Sequence, residues 1–181
     1  MDSTHRPGER GIGRCPMAAV IVVTGLLVAT AGFAGPSAAA RPATVLSGLA
    51  WGQPYTYANG LAVTVVPPTP FSPSDTSAGH QAGNQAVAWK ITVKNGTPEL
   101  FPTSPVSVYA KYGTAGEQAE RVYDSAKGAD SDFEGSIAPG RSATVTYVFD
   151  VPRAGLALLD LEVVPDAAVY EGTHWSGALA P

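Results

Sequence analysis

One short stretch constrains the fold more than any other part of the chain. Residues 85–96 alternate between two sets of side chains, which are Val87, Trp89, Ile91 and Val93 on one side and Ala88, Lys90, Thr92 and Lys94 on the other. Because successive side chains of a strand point to opposite faces, this alternation predicts a half-buried β-strand with one apolar row on a core. Asn95-Gly96 tolerates positive φ and predicts a sharp turn at its end.

Weaker alternations recur along the rest of the chain and are separated by glycine and proline turns. They predict strands at 55–57, 61–65, 106–112, 143–149 and 159–163, a mostly polar edge strand at 117–123, and a last strand at 168–175. No stretch of 41–181 shows the apolar spacing of three and four residues that predicts a helix. Seven or eight short strands in about 140 residues predict an all-β, immunoglobulin-like antiparallel β-sandwich.

The first forty residues predict a secretory signal peptide. Arg6, Arg10 and Arg14 precede an uncharged apolar run, and small residues follow up to Ala40, where cleavage is expected. An uncleaved membrane anchor is the alternative, because the run is close to the shortest length that spans a bilayer. The predicted organisation is a signal peptide at 1–40, a flexible tether at 41–54, the sandwich at 55–175 and a tail at 176–181. The expected location is extracellular or wall-associated, without membrane insertion after cleavage.

Charge and cysteine content exclude several classes of partner. Cys15 lies in the leader, so the exported domain is expected to have no disulfides. Removal of residues 1–40 leaves 8 basic and 13 acidic side chains, a net charge of −5. Binding to nucleic acid or anionic lipid requires clustered Lys and Arg, so neither is an expected partner.

The residues that could support catalysis are few. His80 and His174 are the histidines of 41–181, and no Gly-x-Ser-x-Gly motif accompanies them. A hydrolase is therefore only an alternative, and the protein is expected to be non-enzymatic, with no catalytic residues and no cofactor.

An acidic cluster gives a second alternative. Asp130, Asp132 and Glu134 precede Gly135 in the way that acids open a calcium-binding loop. The twelfth position, which should hold a closing acid, is Arg141. An ordinary solvated loop is the preferred interpretation of 124–135, and a calcium-dependent binding module remains the alternative.

Four aromatic residues are expected to be exposed if the strand phases hold, namely Tyr55, Tyr57, Tyr109 and Trp175. They would either cover the ends of the sheets or stack against a sugar or a protein partner. Leu100 and Phe101, between prolines, are expected to fold over one end of the core. The predicted function is binding at the cell surface or in the extracellular space, with an unknown protein or a cell-wall ligand as partner.

Several short motifs resemble a known family. They are YANGL at 57–61, PFSPS at 70–74, GNQAV at 83–87, VKNGT at 93–97, VYDS at 122–125, IAPGR at 137–141 and FDVP at 149–152. Their order resembles a domain-of-unknown-function family of actinobacterial exported proteins, similar in fold to a secreted immunogenic mycobacterial antigen. The resemblance spans about 51–170 and implies an immunoglobulin-like sandwich and an exported location. It implies no activity and no site residues. Many relatives are lipoproteins with a cysteine after the apolar run, and this chain has none there.

Overall fold

The computed structural model describes residues 48–179, so the predicted signal peptide and the first half of the predicted tether, 41–47, lie outside the described residues. Short β-strands dominate it, with single turns of 3-10 helix at Ser125–Lys127 and Arg153–Gly155. The strands are β1 (Pro54–Thr56), β2 (Leu61–Val65), β3 (Thr69–Phe71), β4 (Gln85–Asn95), β5 (Phe101–Pro102), β6 (Ser107–Tyr112), β7 (Glu117–Gln118), β8 (Glu120–Val122), β9 (Ser136–Ile137), β10 (Ser142–Val151), β11 (Leu159–Val164) and β12 (Thr173–Gly177). Within 48–179, no helix is long and apolar enough to cross a membrane.

Strand β4 organises the larger of two antiparallel sheets. The order of this sheet is β1-β2-β4-β10-β8, and β10 pairs with β4 along nearly its whole length. The other edge of β4 pairs first with β3, at 86–88, and then with β2, at 91–95. Strand β3 lies in the proline-rich stretch 67–73, where proline is tolerated because β3 is at the edge of the sheet.

The smaller sheet has the order β12-β11-β6-β7, and β5 and β9 form a separate two-stranded pair. Side chains from both main sheets share one core, in which Trp89 and Trp175 are fully buried. The Trp89 ring lies 5.9 Å from Phe149 and 6.3 Å from Trp51, measured between ring centroids. The predicted antiparallel β-sandwich is therefore confirmed. It has more strands than predicted because strands of two or three residues are too short to show an alternation.

The predicted edge strand at 117–123 is two strands in different sheets. β7 pairs with β6 in the small sheet, and β8 pairs with β10 in the large sheet, with the buried Ala119 between them. The guanidinium of Arg121 lies 4.0 Å from the centroid of the Tyr147 ring and forms an ion pair with Asp132. The chain crosses from one sheet to the other between β7 and β8, and the Arg121 side chain lies over the rings of Tyr147 and Phe149 beside this crossing.

The ends of the domain differ from those predicted. Residues 48–54 belong to the sandwich: Leu49 pairs with Trp175, and the Trp175 indole N–H donates to the carbonyl of Gln53 at 2.8 Å. The final strand is Thr173–Gly177, so it starts later than 168 and includes two residues of the predicted tail. These pairings form between distant parts of the chain, which explains why local composition suggested a tether and a tail.

The loops after β3 and β8 cover the outer face of the large sheet. Ala86, Val122, Ala129 and Val148 form a second small core under them. Two buried carboxylates anchor the loop at 74–84. Asp124 accepts hydrogen bonds from the Ser74 N–H and hydroxyl, at 2.7 and 2.8 Å. Asp150 accepts from the Asn84 amide at 2.6 Å. The loop predicted to be solvated at 124–135 is thus partly buried, because it packs on this face.

Candidate functional site

A groove of about 350 Å³ lies at one end of the sandwich. Three segments form it: the turn between β1 and β2, the stretch from 97 to 102 that leads through β5, and the connection between β11 and β12. Its main lining residues are Asn59, Glu99, Leu100, Phe101, Asp166, Val169 and Tyr170. Its volume is at the lower end of the range for small-ligand sites.

Two aliphatic side chains of this groove are strongly exposed. Leu100 is 67% exposed and Val169 is 68% exposed, whereas every other large apolar side chain of the described residues is less than half exposed. Isolated exposed apolar residues are normal on a protein surface. Here the two most exposed ones of 48–179 line the same concavity. Leu100 was predicted to cover the core, but only its neighbour Phe101 is buried, since adjacent side chains of an extended segment point opposite ways.

A row of aromatic rings forms the base of this end of the sandwich. Tyr57 lies edge-on to Tyr55 and to Tyr170, each at 4.8 Å between centroids, and Tyr170 lies 6.3 Å from Phe101. The Tyr57 hydroxyl is within 3.0 Å of the Thr173 hydroxyl. Burial raises the pKa of Tyr57, so this phenol stays neutral and acts as a hydrogen-bonding group.

Asn95 holds the wall of the groove in place. Its side chain is fully buried, and its amide donates to the carbonyls of Glu99 and Ile137, both at 2.7 Å. Its oxygen accepts from the Thr97 N–H at 2.9 Å and the Thr97 hydroxyl at 2.7 Å. The strand ends at Asn95 as predicted, but Gly96 has no positive φ, and the hydrogen bond from the Thr97 N–H to the Asn95 side chain turns the chain instead. The side chain of Asn95 fixes the path of residues 97–99, which position Leu100.

A close backbone approach joins this wall to the neighbouring turn. A Cβ added at Gly60 would lie 2.8 Å from the carbonyl oxygen of Gly96, and one added at Gly96 would lie 2.3 Å from that of Gly60. Gly60 also has a φ of 97°. Only glycine fits both positions, so these two glycines allow the β1–β2 turn to lie directly against the start of the segment that leads to Leu100.

The charged groups of the groove are acidic. Glu99 and Asp166 line it, and no Lys, Arg or His is among its described lining residues. One carboxylate oxygen of Asp166 accepts a hydrogen bond from the Ala168 N–H at 2.9 Å. Within 48–179, the Glu99 carboxylate makes no ion pair. The groove therefore combines exposed aliphatic surface with negative charge.

The four aromatic residues predicted to be exposed fall into three groups. Tyr55 and Tyr109 are exposed, as predicted, at 39% and 42%. Tyr57 is half-buried in the aromatic row. Trp175 is fully buried, so its prediction is wrong. The phase error follows from the position of β12, which begins at Thr173 and turns Trp175 inward opposite Leu161.

The two histidines each contact a carboxylate, in different parts of the molecule. His80 Nδ1 lies 2.6 Å from an Asp150 oxygen. His174 Nδ1 lies 3.0 Å from Asp160, and its Nε2 lies 3.7 Å from Glu162. In the part of the chain described, neither ring makes a hydrogen bond to a serine or threonine hydroxyl. Each pair thus has the base and the acid of a hydrolytic triad but no nucleophile in contact.

The acidic cluster proposed for calcium is exposed at all three residues, Asp130, Asp132 and Glu134. Asp132 pairs with Arg121 at 3.3 Å, and the same guanidinium donates to the Ser131 carbonyl at 3.2 Å. Across 48–179, no three His, Cys, Asp or Glu side chains are grouped closely enough to hold a metal ion. A cation at this loop would compete with a guanidinium already in contact with it.

Several residues that shape these sites were not identified from the sequence. Val169, Glu99 and Asp166 lie in loops, where no periodicity indicates which side chains share a concavity. Asp150 could have been identified, because it interrupts the apolar run of a strong strand. A lone acid at such a position requires a hydrogen-bonding partner.

The fold and the groove together define an antiparallel β-sandwich with an open, acidic and aliphatic concavity at one end. No protein-family model matches the chain, and no curated protein matches it. Solved structures with the same fold are found. The chain is similar to the yjhA protein of Bacillus subtilis, with a TM-score of 0.57 and 10% identity over 70% of this chain and 97% of that one.

A second structure is ycdA of Bacillus subtilis, described as a candidate lipoprotein. It has a TM-score of 0.56 and 10% identity, and the match covers 70% of this chain but 38% of that longer chain. An uncharacterised β-sandwich protein of Clostridium difficile aligns with a TM-score of 0.44 and 13% identity over 71% of this chain and 90% of that one. At such identities the first two similarities establish the fold alone.

Proposed function

We propose that this chain is an exported, non-enzymatic β-sandwich protein that binds a partner at the cell surface or in the extracellular space through the groove beside Leu100. One observation carries the proposal: Leu100 and Val169, the most exposed large apolar side chains of the described residues, line one concavity. A ligand that covers exposed aliphatic surface in a concave site removes that surface from water, which lowers the free energy of the complex.

The construction of the groove supports a binding role. The buried Asn95 amide holds one of its walls in place, and the close approach of Gly60 and Gly96 sets the neighbouring turn against that wall. A preformed site loses less conformational entropy on binding than a flexible loop does.

Export rests on the leader pattern of residues 1–40, with cleavage after Ala40 proposed and a retained anchor as the alternative. The naming of the ycdA structure as a candidate lipoprotein supports an exported location for this fold. Membership of the actinobacterial exported family, with its likeness to a mycobacterial antigen, is part of the proposal and rests on the turn motifs.

A cell-retention experiment tests the proposal. The full chain, carrying a C-terminal tag, is expressed with its own leader in an export-competent bacterium, and the tagged protein is followed in medium, wall and membrane fractions. Protein recovered from the medium is then incubated with intact cells and with isolated cell wall. We expect recovery outside the membrane and sedimentation with cells or wall.

Two matched variants locate the binding surface. Leu100→Ser with Val169→Ser removes the exposed aliphatic surface of the groove. Leu158→Ser changes a 38% exposed leucine at the opposite end of β11. We expect the double variant to stay in the supernatant and Leu158→Ser to sediment like the unchanged chain. Equal sedimentation of the double variant would show that the groove is not the binding surface.

A further inference from the structure

The chemistry of the groove narrows the class of ligand, and this inference rests on the proposed function. Its exposed apolar contacts, Leu100 and Val169, are aliphatic. Such groups gain free energy by covering another apolar side chain and offer no hydrogen bonds to a hydroxyl-rich ligand. The Asn59 amide, which also lines the groove, already donates to the Tyr170 hydroxyl at 2.7 Å. Both features favour a peptide over a carbohydrate.

The charge of this end of the sandwich adds a second requirement. The three segments that form the groove, 57–60, 96–102 and 165–172, contain Glu99, Asp166 and Glu171 and no Lys, Arg or His. The Glu99 carboxylate has no ion-pair partner within the described chain. A negative surface attracts cations and repels acidic ligands, so complementarity points to a basic group next to the apolar one.

The size of the site limits how much of the peptide is recognised. A volume of about 350 Å³ accommodates one large side chain and its immediate neighbours. Such a contact suits a short extended segment and is too small for a folded domain, whose interface usually buries about 800 Å² on each side.

We infer that the groove binds an extended peptide segment in which a large apolar side chain stands next to a lysine or arginine. The apolar side chain packs between Leu100 and Val169, and the cation lies near the carboxylates of Glu99 and Asp166.

An unbiased selection tests this inference without assuming a sequence. Random heptapeptides displayed on phage are selected on the exported full chain, immobilised by a C-terminal tag, after depletion on the Leu100→Ser, Val169→Ser variant. We expect the enriched peptides to share a large apolar residue adjacent to a Lys or Arg. Fluorescence polarisation with the enriched peptide then measures its affinity.

Charge variants separate recognition of the cation from general attraction. Glu99→Gln with Asp166→Asn should weaken binding of the enriched peptide by about three- to tenfold, the range expected for two exposed ion pairs. Asp130→Asn with Glu134→Gln removes the same charge from an exposed loop outside the groove and should leave the affinity unchanged. The affinity for the unchanged chain should fall as salt is added, since exposed pairs are screened. Unaltered melting temperatures show that each variant is folded.

The outcomes distinguish this inference from the proposed function. Groove-dependent peptides without a basic residue, or equal affinities for the two charge variants, would overturn the inference and leave the binding role intact. Groove-dependent binding of isolated cell-wall polysaccharide, with no peptide enriched, would likewise overturn the inference and leave the binding role intact. Loss of groove-dependent retention on cells, together with failure to enrich any peptide, would overturn both.

Discussion

Replacement of Asn95 by alanine is the most direct test of how the candidate site is built. The substitution removes two donated hydrogen bonds, to the carbonyls of Glu99 and Ile137, and two accepted ones from Thr97. Each buried hydrogen bond contributes about 1 kcal/mol, and the Thr97 hydroxyl can find a new partner in water. We therefore expect Asn95→Ala to lower the free energy of unfolding by about 3 kcal/mol.

Urea unfolding followed by tryptophan fluorescence measures this loss, because Trp89 and Trp175 are fully buried and report on the core. The midpoint should fall while the slope against urea stays constant, which marks a change in stability without a change in exposed surface. For a domain of this size the same loss lowers the melting temperature by about 10 °C.

A graded control sharpens the comparison. Thr97→Val removes only the hydroxyl bonds, which are those donated to the Asn95 side chain at 2.7 Å and to the Glu99 carbonyl at 3.2 Å and a long one accepted from the Glu99 N–H at 3.4 Å. It should cost about 1 kcal/mol. A loss below about 1 kcal/mol for Asn95→Ala, or equal losses for the two variants, would refute the argument that the buried amide organises the groove wall.

Three further predictions concern the charged groups that hold the loops. Hydrogen bonds, first from the Ser74 N–H, lower the pKa of Asp124 below its ordinary value of 3.8. The stability that this carboxylate contributes is therefore present at neutral pH and lost as the pH falls below that value. Between neutral and acidic pH, the urea midpoint of Asp124→Asn should change less than that of the unchanged chain. Asp150→Ala should cost about 2 kcal/mol and speed hydrogen exchange in residues 78–84, because three donors of that loop lose their acceptor. Asp132→Asn should change stability by less than about 1 kcal/mol in denaturant titrations, since its ion pair with Arg121 is exposed on the carboxylate side.

Strong local alternation made most of the sandwich predictable. The apolar rows of β4, β10 and β11 each contain enough consecutive residues to show which face is buried, and the structure places those rows in the core. The strand at 117–123 was predicted as one element because its polar residues do not show that it changes sheet at Ala119. Trp175 was assigned to the surface because the strand was predicted to begin at 168, whereas β12 begins at Thr173, and the residues in between show no alternation from which its phase could be read.

The candidate site was less predictable, for a physical reason. The sequence alone determined that this chain forms strands around Trp89 and that its central strand ends at Asn95-Gly96. Only the tertiary structure brought Leu100 and Val169, from connections far apart in the chain, into one acidic groove, and set Asp124 and Asp150 beneath the loops they hold. Periodicity records which residues are buried within one element, whereas a site between loops depends on which elements become neighbours.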